Sequence, residues 1–164
     1  MKRLLVVSDS HGERRALQRI AEETWKVYGP VDAHLHCGDG AGDFQDVMAG
    51  LREHDPQAQF FQVRGNCDGS RFADLPWQRI VEIGGVKLFL THGHLQAVKS
   101  TRMILSDDAR GSGCSIALYG HTHEPCMEMY SVLLLNPGCA ATGQYLVLEI
   151  RDDGQPRIHL ERLK

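Results

Sequence analysis

Five short motifs along this 164-residue chain carry side chains able to hold a divalent metal: Asp9-Ser10-His11, Gly38-Asp39, Gly65-Asn66-Cys67-Asp68, Thr91-His92-Gly93-His94 and Gly120-His121-Thr122-His123. Their spacing is nearly even, with 30 residues from Asp9 to Asp39, then 27 to Asn66, 26 to His92 and 29 to His121. Mixed carboxylate and imidazole ligands suit a borderline transition metal better than calcium, which prefers an all-oxygen shell. Asp39 has two oxygens and can bridge two ions. The expected partition is Asp9, His11, Asp39 and His123 on one ion, and Asp39, Asn66, His92 and His121 on the other. Two divalent ions against two carboxylates leave a net positive site. Such a site attracts phosphate and lowers the pKa of a bridging water from 15.7 towards roughly 7. The expected reaction is attack of a dimetal-bridging hydroxide on a phosphate ester. Manganese is expected first, with iron, nickel, cobalt and zinc also suited to these ligands.

The elements that must position these residues follow from the pattern between them. One strand, one helix and their turns occupy about the 30 residues of a βαβ unit, so each motif can end its own strand. Residues 3–8, 32–37 and 59–63 read as short buried strands, and residues 13–27 and 43–52 as helices with one apolar face. Gly84-Gly85 between residues 79–83 and 86–91 signals a hairpin. A third helix is expected over about 97–108. Strands are expected at 115–119, 127–135, 145–150 and 157–160, mostly antiparallel, with a turn at Asp152-Asp153-Gly154. The economical architecture is a four-layer α/β/β/α sandwich of two packed mixed sheets flanked by helices.

The bulk composition fits one domain spanning residues 1–164. Hydrophobic residues are 42% and charged residues 24%, which excludes a disordered chain, and the net charge of −3 argues against a nucleic-acid-coating or membrane-binding surface. The apolar run Leu4–Val7 is too short for a signal core or a membrane span, so a cytoplasmic location is expected. Five cysteines without a CxxC pair read as free thiols in a reducing compartment. Assembly into a homo-oligomer is left open.

In this order the motifs DxH, GD, GNCD, THGH and GHTH resemble the calcineurin-like metallophosphoesterase superfamily, and most of all its small prokaryotic phosphodiesterase branch, the YfcE family. The resemblance runs from Ser8 to beyond Asn136-Pro137-Gly138. It implies the two-sheet sandwich, the same ligand partition and hydrolysis of a small-molecule or nucleotide phosphodiester. It also implies an alternative. The retromer subunit of the superfamily uses this fold as a non-catalytic protein-interaction scaffold, although this chain keeps Asp9, His11 and all three later histidines.

Many members of the wider superfamily have histidine where this chain has Cys67. The general acid therefore lies between the Cys67 thiol and His94, and Asp68 is expected to orient a neighbouring ligand. His36, Cys37, Cys139 and Asn136 read as structural, Asp43 as an N-terminal helix residue, and His34, His54 and His159 as ordinary strand or surface residues. Substrate specificity is expected in the loops 70–77 and 140–144.

Overall fold

Side chains alternate across each strand, and that alternation builds the layers. The computed structural model describes residues 1–164, with strands β1 (Lys2–Val7), β2 (Ala33–His36), β3 (Gln59–Gln62), β4 (Gln78–Ile83), β5 (Val86–Thr91), β6 (Ile116–Leu118), β7 (Cys126–Met129), β8 (Leu133–Asn136), β9 (Gln144–Ile150) and β10 (Pro156–Arg162). In β1, Leu4 and Val6 enter the core between the sheets, while Leu5 and Val7 pack under helices α1 (Arg14–Tyr28) and α2 (Ala41–His54). In β5, Leu88 and Leu90 enter the same central core and Phe89 packs towards helix α3 (Met103–Gly111). β6 and β8 follow suit, with Ala117 and Leu134 on the α3 side. A period of two in the strands thus produces helix, sheet, sheet and helix layers.

One sheet has the order β10-β9-β1-β2-β3 and the other β4-β5-β6-β8-β7. β1, β2 and β3 are mutually parallel, as are β5, β6 and β8. The expected sandwich of mixed sheets is therefore present. The second half is less antiparallel than its sequence pattern implies, because β5, β6 and β8 run the same way. In each parallel set the C-terminal strand ends lie on one edge, the usual place for ligands in α/β sheets.

Two elements differ from their sequence patterns. The apolar stretch expected as one strand over 127–135 is a hairpin, β7 and β8, registered Met129 to Leu133 and closed by Tyr130 N–H donating to Val132 O (3.0 Å). The third helix begins at Met103 rather than Ala97. Ala97 takes a left-handed conformation (φ 51°) that interrupts helical geometry, and Thr101 Oγ1 accepts the Met103 N–H at the true start (3.2 Å). No helix is long and apolar enough to cross a membrane.

His34 is a buried strand residue, stacked flat on Phe60 at 4.9 Å. Burial pushes its pKa down from 6.5 to about 4, so the folded state holds it neutral. The unfolded chain takes up a proton first. This contribution to stability is therefore complete above about pH 6.5 and falls away as the pH drops towards 4. Between about pH 7 and pH 5 the loss through His34 should be about 2 kcal/mol, absent in His34→Leu. Urea midpoints of both proteins at the two pH values check this, and equal pH sensitivity would refute it.

Candidate metal centre

Every motif sits just past a strand's C-terminal end: Asp9 after β1, Asp39 after β2, Asn66 after β3, His92 after β5 and His121 after β6. The turns are strained where chemistry requires it. Asp9, His11, Asp39, His121 and His123 all have positive φ (43–70°), and Ala97 is the only other non-glycine residue that does. Each such residue costs about 1 kcal/mol or more, and the price is concentrated in the motif turns. Asp and His tolerate this region better than branched residues do.

Two glycines allow the turns to close. A Cβ on Gly65 would collide with the Asp39 carboxylate and backbone nitrogen. One on Gly120 would collide with Ser8 Oγ and Asp9 Oδ2. The sheets are joined at this point, because His121 N–H donates to Asp9 Oδ2 (3.0 Å), while Gly120 N–H donates to His92 O (3.0 Å) across the β5 and β6 ends of one sheet.

The side chains form two groups around Asp39. In the first, Asp9 Oδ1 lies 3.4 Å from His11 Nε2 and 3.2 Å from His123 Nε2, and the two imidazole nitrogens are 3.1 Å apart. In the second, Asp39, His92 and His121 present one donor atom each within 4.8 Å of one another, with His92 Nε2 3.2 Å from Asp39 Oδ2. The same Asp39 oxygen is 3.9 Å from His11 Nε2, so it faces both groups. Cys67 also presents its sulfur within 4.8 Å of His11 and Asp39 donor atoms. Asn66 is exposed on the same loop, its amide directed at Cys67 Sγ (3.6 Å).

This arrangement fits divalent ions. Ligands held about 2.0–2.2 Å from one ion lie about 3–3.5 Å from each other, the spacing seen here. Asp9 Oδ1 and His92 Nε2 are buried and have no hydrogen-bond partner. His92 Nε2 stands 3.2 Å from Asp39 Oδ2, close enough for both atoms to hold one ion. His92 Nδ1 donates to the Cys37 carbonyl (2.8 Å), which frees Nε2 as a ligand atom. Burial works against the Asp39 charge, but His92 and the Cys67 N–H outweigh it and hold the carboxyl well below the usual carboxylate range. Burial would lower His92, but the Asp39 carboxylate raises it. Burial, then His92 and Lys99, push His121 down to about 4.

Of the three residues expected to assist catalysis, Asp68 has a positioning role. Its buried carboxylate accepts four backbone N–H bonds, from Asp39 (2.9 Å), Gly40 (3.0 Å), Ala41 (3.0 Å) and Gly65 (2.7 Å). It thereby caps α2 and ties the Asp39 turn to the Asn66 loop. His94 is half-buried beside His92 and His121 (ring centroids 5.5 and 6.2 Å apart), and burial, then His92, lower its pKa. Cys67 is exposed, and burial of its sulfur, then the Asp39 charge, push the thiol up.

A buried relay beneath the first motif was not legible in the sequence. Gly38 N–H donates to His36 Nδ1 (3.0 Å), which places the ring proton on Nε2, and Nε2 donates to Ser10 Oγ (3.1 Å). Ser10 donates to Asp43 Oδ2 (2.9 Å), which also accepts the Gly12 N–H (2.8 Å). Burial keeps His36 neutral, its pKa pushed down to about 4. Asp43 lies in the first turn of α2, as expected, and its carboxylate also fixes the Asp9–His11 turn. The one signal was a carboxylate beside Phe44 on the inward face of α2. Asn136 is fully buried and pins the fifth motif, donating to Gly120 O (3.1 Å) and Thr122 Oγ1 (3.0 Å).

The calcineurin-like phosphoesterase superfamily domain model matches residues 1–153, and the chain belongs to that superfamily, whose members work with divalent metals. Among individual proteins, the chain is 29% identical over 153 residues to phosphodiesterase YfcE of Escherichia coli, spanning 84% of this chain and 79% of that one. A predicted phosphoesterase structure from Streptococcus pneumoniae superposes with a TM-score of 0.72 at 27% identity, covering 98% of both chains. Vps29 of Entamoeba histolytica, solved with zinc, shares the fold alone (TM-score 0.71, 22% identity, 98% of both chains).

Asp68→Ala would strip an acceptor from four backbone N–H groups. It should cost about 3 kcal/mol or more of unfolding free energy, with Asp68→Asn intermediate. Chemical denaturation measures this, and a loss below about 1 kcal/mol would mean that water replaces the carboxylate.

Proposed function

We propose that this chain, acting as one catalytic unit over residues 1–164, is a divalent-metal-dependent phosphodiesterase for small-molecule or nucleotide phosphodiesters. The observation that carries this reading is the pair of buried, unpartnered donors, Asp9 Oδ1 and His92 Nε2, on either side of a shared Asp39. Leaving such atoms without partners costs about 1–3 kcal/mol each, and bound metal ions would supply those partners. Likeness to proteins named as phosphodiesterases favours the catalytic reading over the retromer-like alternative.

Asp9, His11, Asp39 and His123 would hold one ion, and Asp39, Asn66, His92 and His121 a second. Manganese is expected first, ahead of iron, nickel, cobalt or zinc. When bound, the pair supplies Lewis acidity to the phosphoryl oxygens and lowers the pKa of the attacking water.

The chain's own residues do the remaining work. The net reaction adds water across one P–O ester bond: the water oxygen joins phosphorus and a proton ends on the leaving oxygen. Asp39 places charge between the two donor groups, and the Cys37 carbonyl fixes the His92 tautomer. His94, lowered by burial, is a neutral imidazole near pH 7 and serves as a hydrogen-bond donor to the leaving oxygen. Cys67, raised by its surroundings, remains a thiol and can donate its S–H on the exposed side of the site. The five free thiols suit a cytoplasmic setting, and the net charge of −3 suits a small anionic substrate held by the centre rather than stable nucleic-acid binding.

Asp39→Asn keeps the shape of the residue and removes its charge. It should lower kcat/KM on an aryl phosphodiester by at least about 100-fold and reduce bound metal. Elemental analysis with assays under each metal measures both, and full turnover with two ions retained would refute the bridging role. Chelation should abolish turnover, and adding a divalent ion back should restore it. Two bound ions with no hydrolysis of any phosphate ester would favour the scaffold reading.

A further inference from the structure

Trp77 stands one ring outside the metal centre. Its indole centroid is 5.1 Å from the His94 ring at 64°, and His94 in turn faces His92 and His121. Trp77 is 39% exposed. The other tryptophan, Trp25, lies 63% exposed on α1. An open indole beside a reaction centre is a large rigid apolar surface with little conformational entropy to lose on binding.

Trp77 is also held in place. The Arg64 guanidinium lies 4.4 Å from the indole centroid. Arg64 is tethered at both ends: its N–H donates to Pro76 O (2.8 Å), and its Nε donates to Asp68 O (3.2 Å). The same residue leads directly into Gly65-Asn66, so the wall and the metal-binding loop are one rigid piece. The guanidinium covers one face of the indole, and the exposed remainder of Trp77 stands beside the cation, a combination that suits a planar group attached to an anion.

We propose that Trp77, braced by Arg64, forms the ester-group subsite of the catalytic centre. It selects phosphodiesters that carry a planar aromatic group, either a nucleobase or a simple aryl ring. The assignment rests on the phosphodiesterase reading above and adds the class of ester group.

Two stable monoanionic diester mimics test it on the metal-loaded protein: monoethyl 4-nitrobenzylphosphonate and monoethyl ethylphosphonate. Both are measured as inhibitors of aryl phosphodiester hydrolysis. The nitrobenzyl compound should bind about tenfold more tightly, the scale of one stacked ring. Trp77→Ala should erase that preference and Trp77→Phe should keep most of it. Equal affinity of the wild-type protein for the two compounds, or a preference that survives Trp77→Ala, would overturn the subsite.

A second readout does not depend on turnover. In Trp25→Phe, saturable quenching of Trp77 fluorescence by the nitrobenzyl compound supports the subsite, and absence of quenching overturns it. A chain that cleaves no phosphodiester under any divalent metal but shows this quenching loses the proposed reaction and keeps the subsite. A thymidine 5′-ester of ethylphosphonic acid separates the two sources. Binding tighter than that of the nitrobenzyl compound assigns a nucleoside, and weaker binding with the preference intact assigns a simple aryl group.

Discussion

The side chain of Asp68 accepts four backbone N–H groups from two different loops, and the geometry of the centre depends on it. Asp39 can face both donor groups only if its turn is fixed relative to the loop carrying Asn66 and Cys67. A buried carboxylate is a suitable tie, because its charge is met by the N-terminal dipole of α2 and by oriented amides. The Cys67 N–H then returns a bond to Asp39 Oδ1 (2.8 Å), which locks the two loops from the other side. The same logic recurs under the first motif, where Asp43 holds Gly12 and Ser10, and under the fifth, where Asn136 holds Gly120 and Thr122.

These ties counter strain. Five of the seven side chains proposed as ligands sit at positive φ, and two glycines permit approaches that any Cβ would block. The strand ends bring the motifs to one edge, the tight turns follow directly, and the buried polar network holds the turns. The hydrophobic layers supply the rigid frame against which the network works.

The layer order was legible because short apolar runs and helical periodicity are local signals. Leu4–Val7 is apolar at all four positions, the mark of a strand covered on both faces. The ligand types and their spacing were legible for the same reason: each motif is a contiguous turn after a strand. The hairpin at Tyr130–Val132 was not, because its apolar flanks read as one run. The late start of α3 was not, because Ala97 is an ordinary helix former whose left-handed geometry comes from its surroundings. The relay through His36, Ser10 and Asp43 joins three distant segments, and no local pattern announces such a contact.

The left-handed turns have one consequence for how such a protein changes over generations. Glycine is at ease in that conformation, so exchange of a ligand at these positions for glycine would relieve backbone strain even as it removes the donor. A lineage released from catalysis would thus be free to shed His11 and His123 first, while Asp9 and Asp39 would stay for the backbone N–H groups they hold.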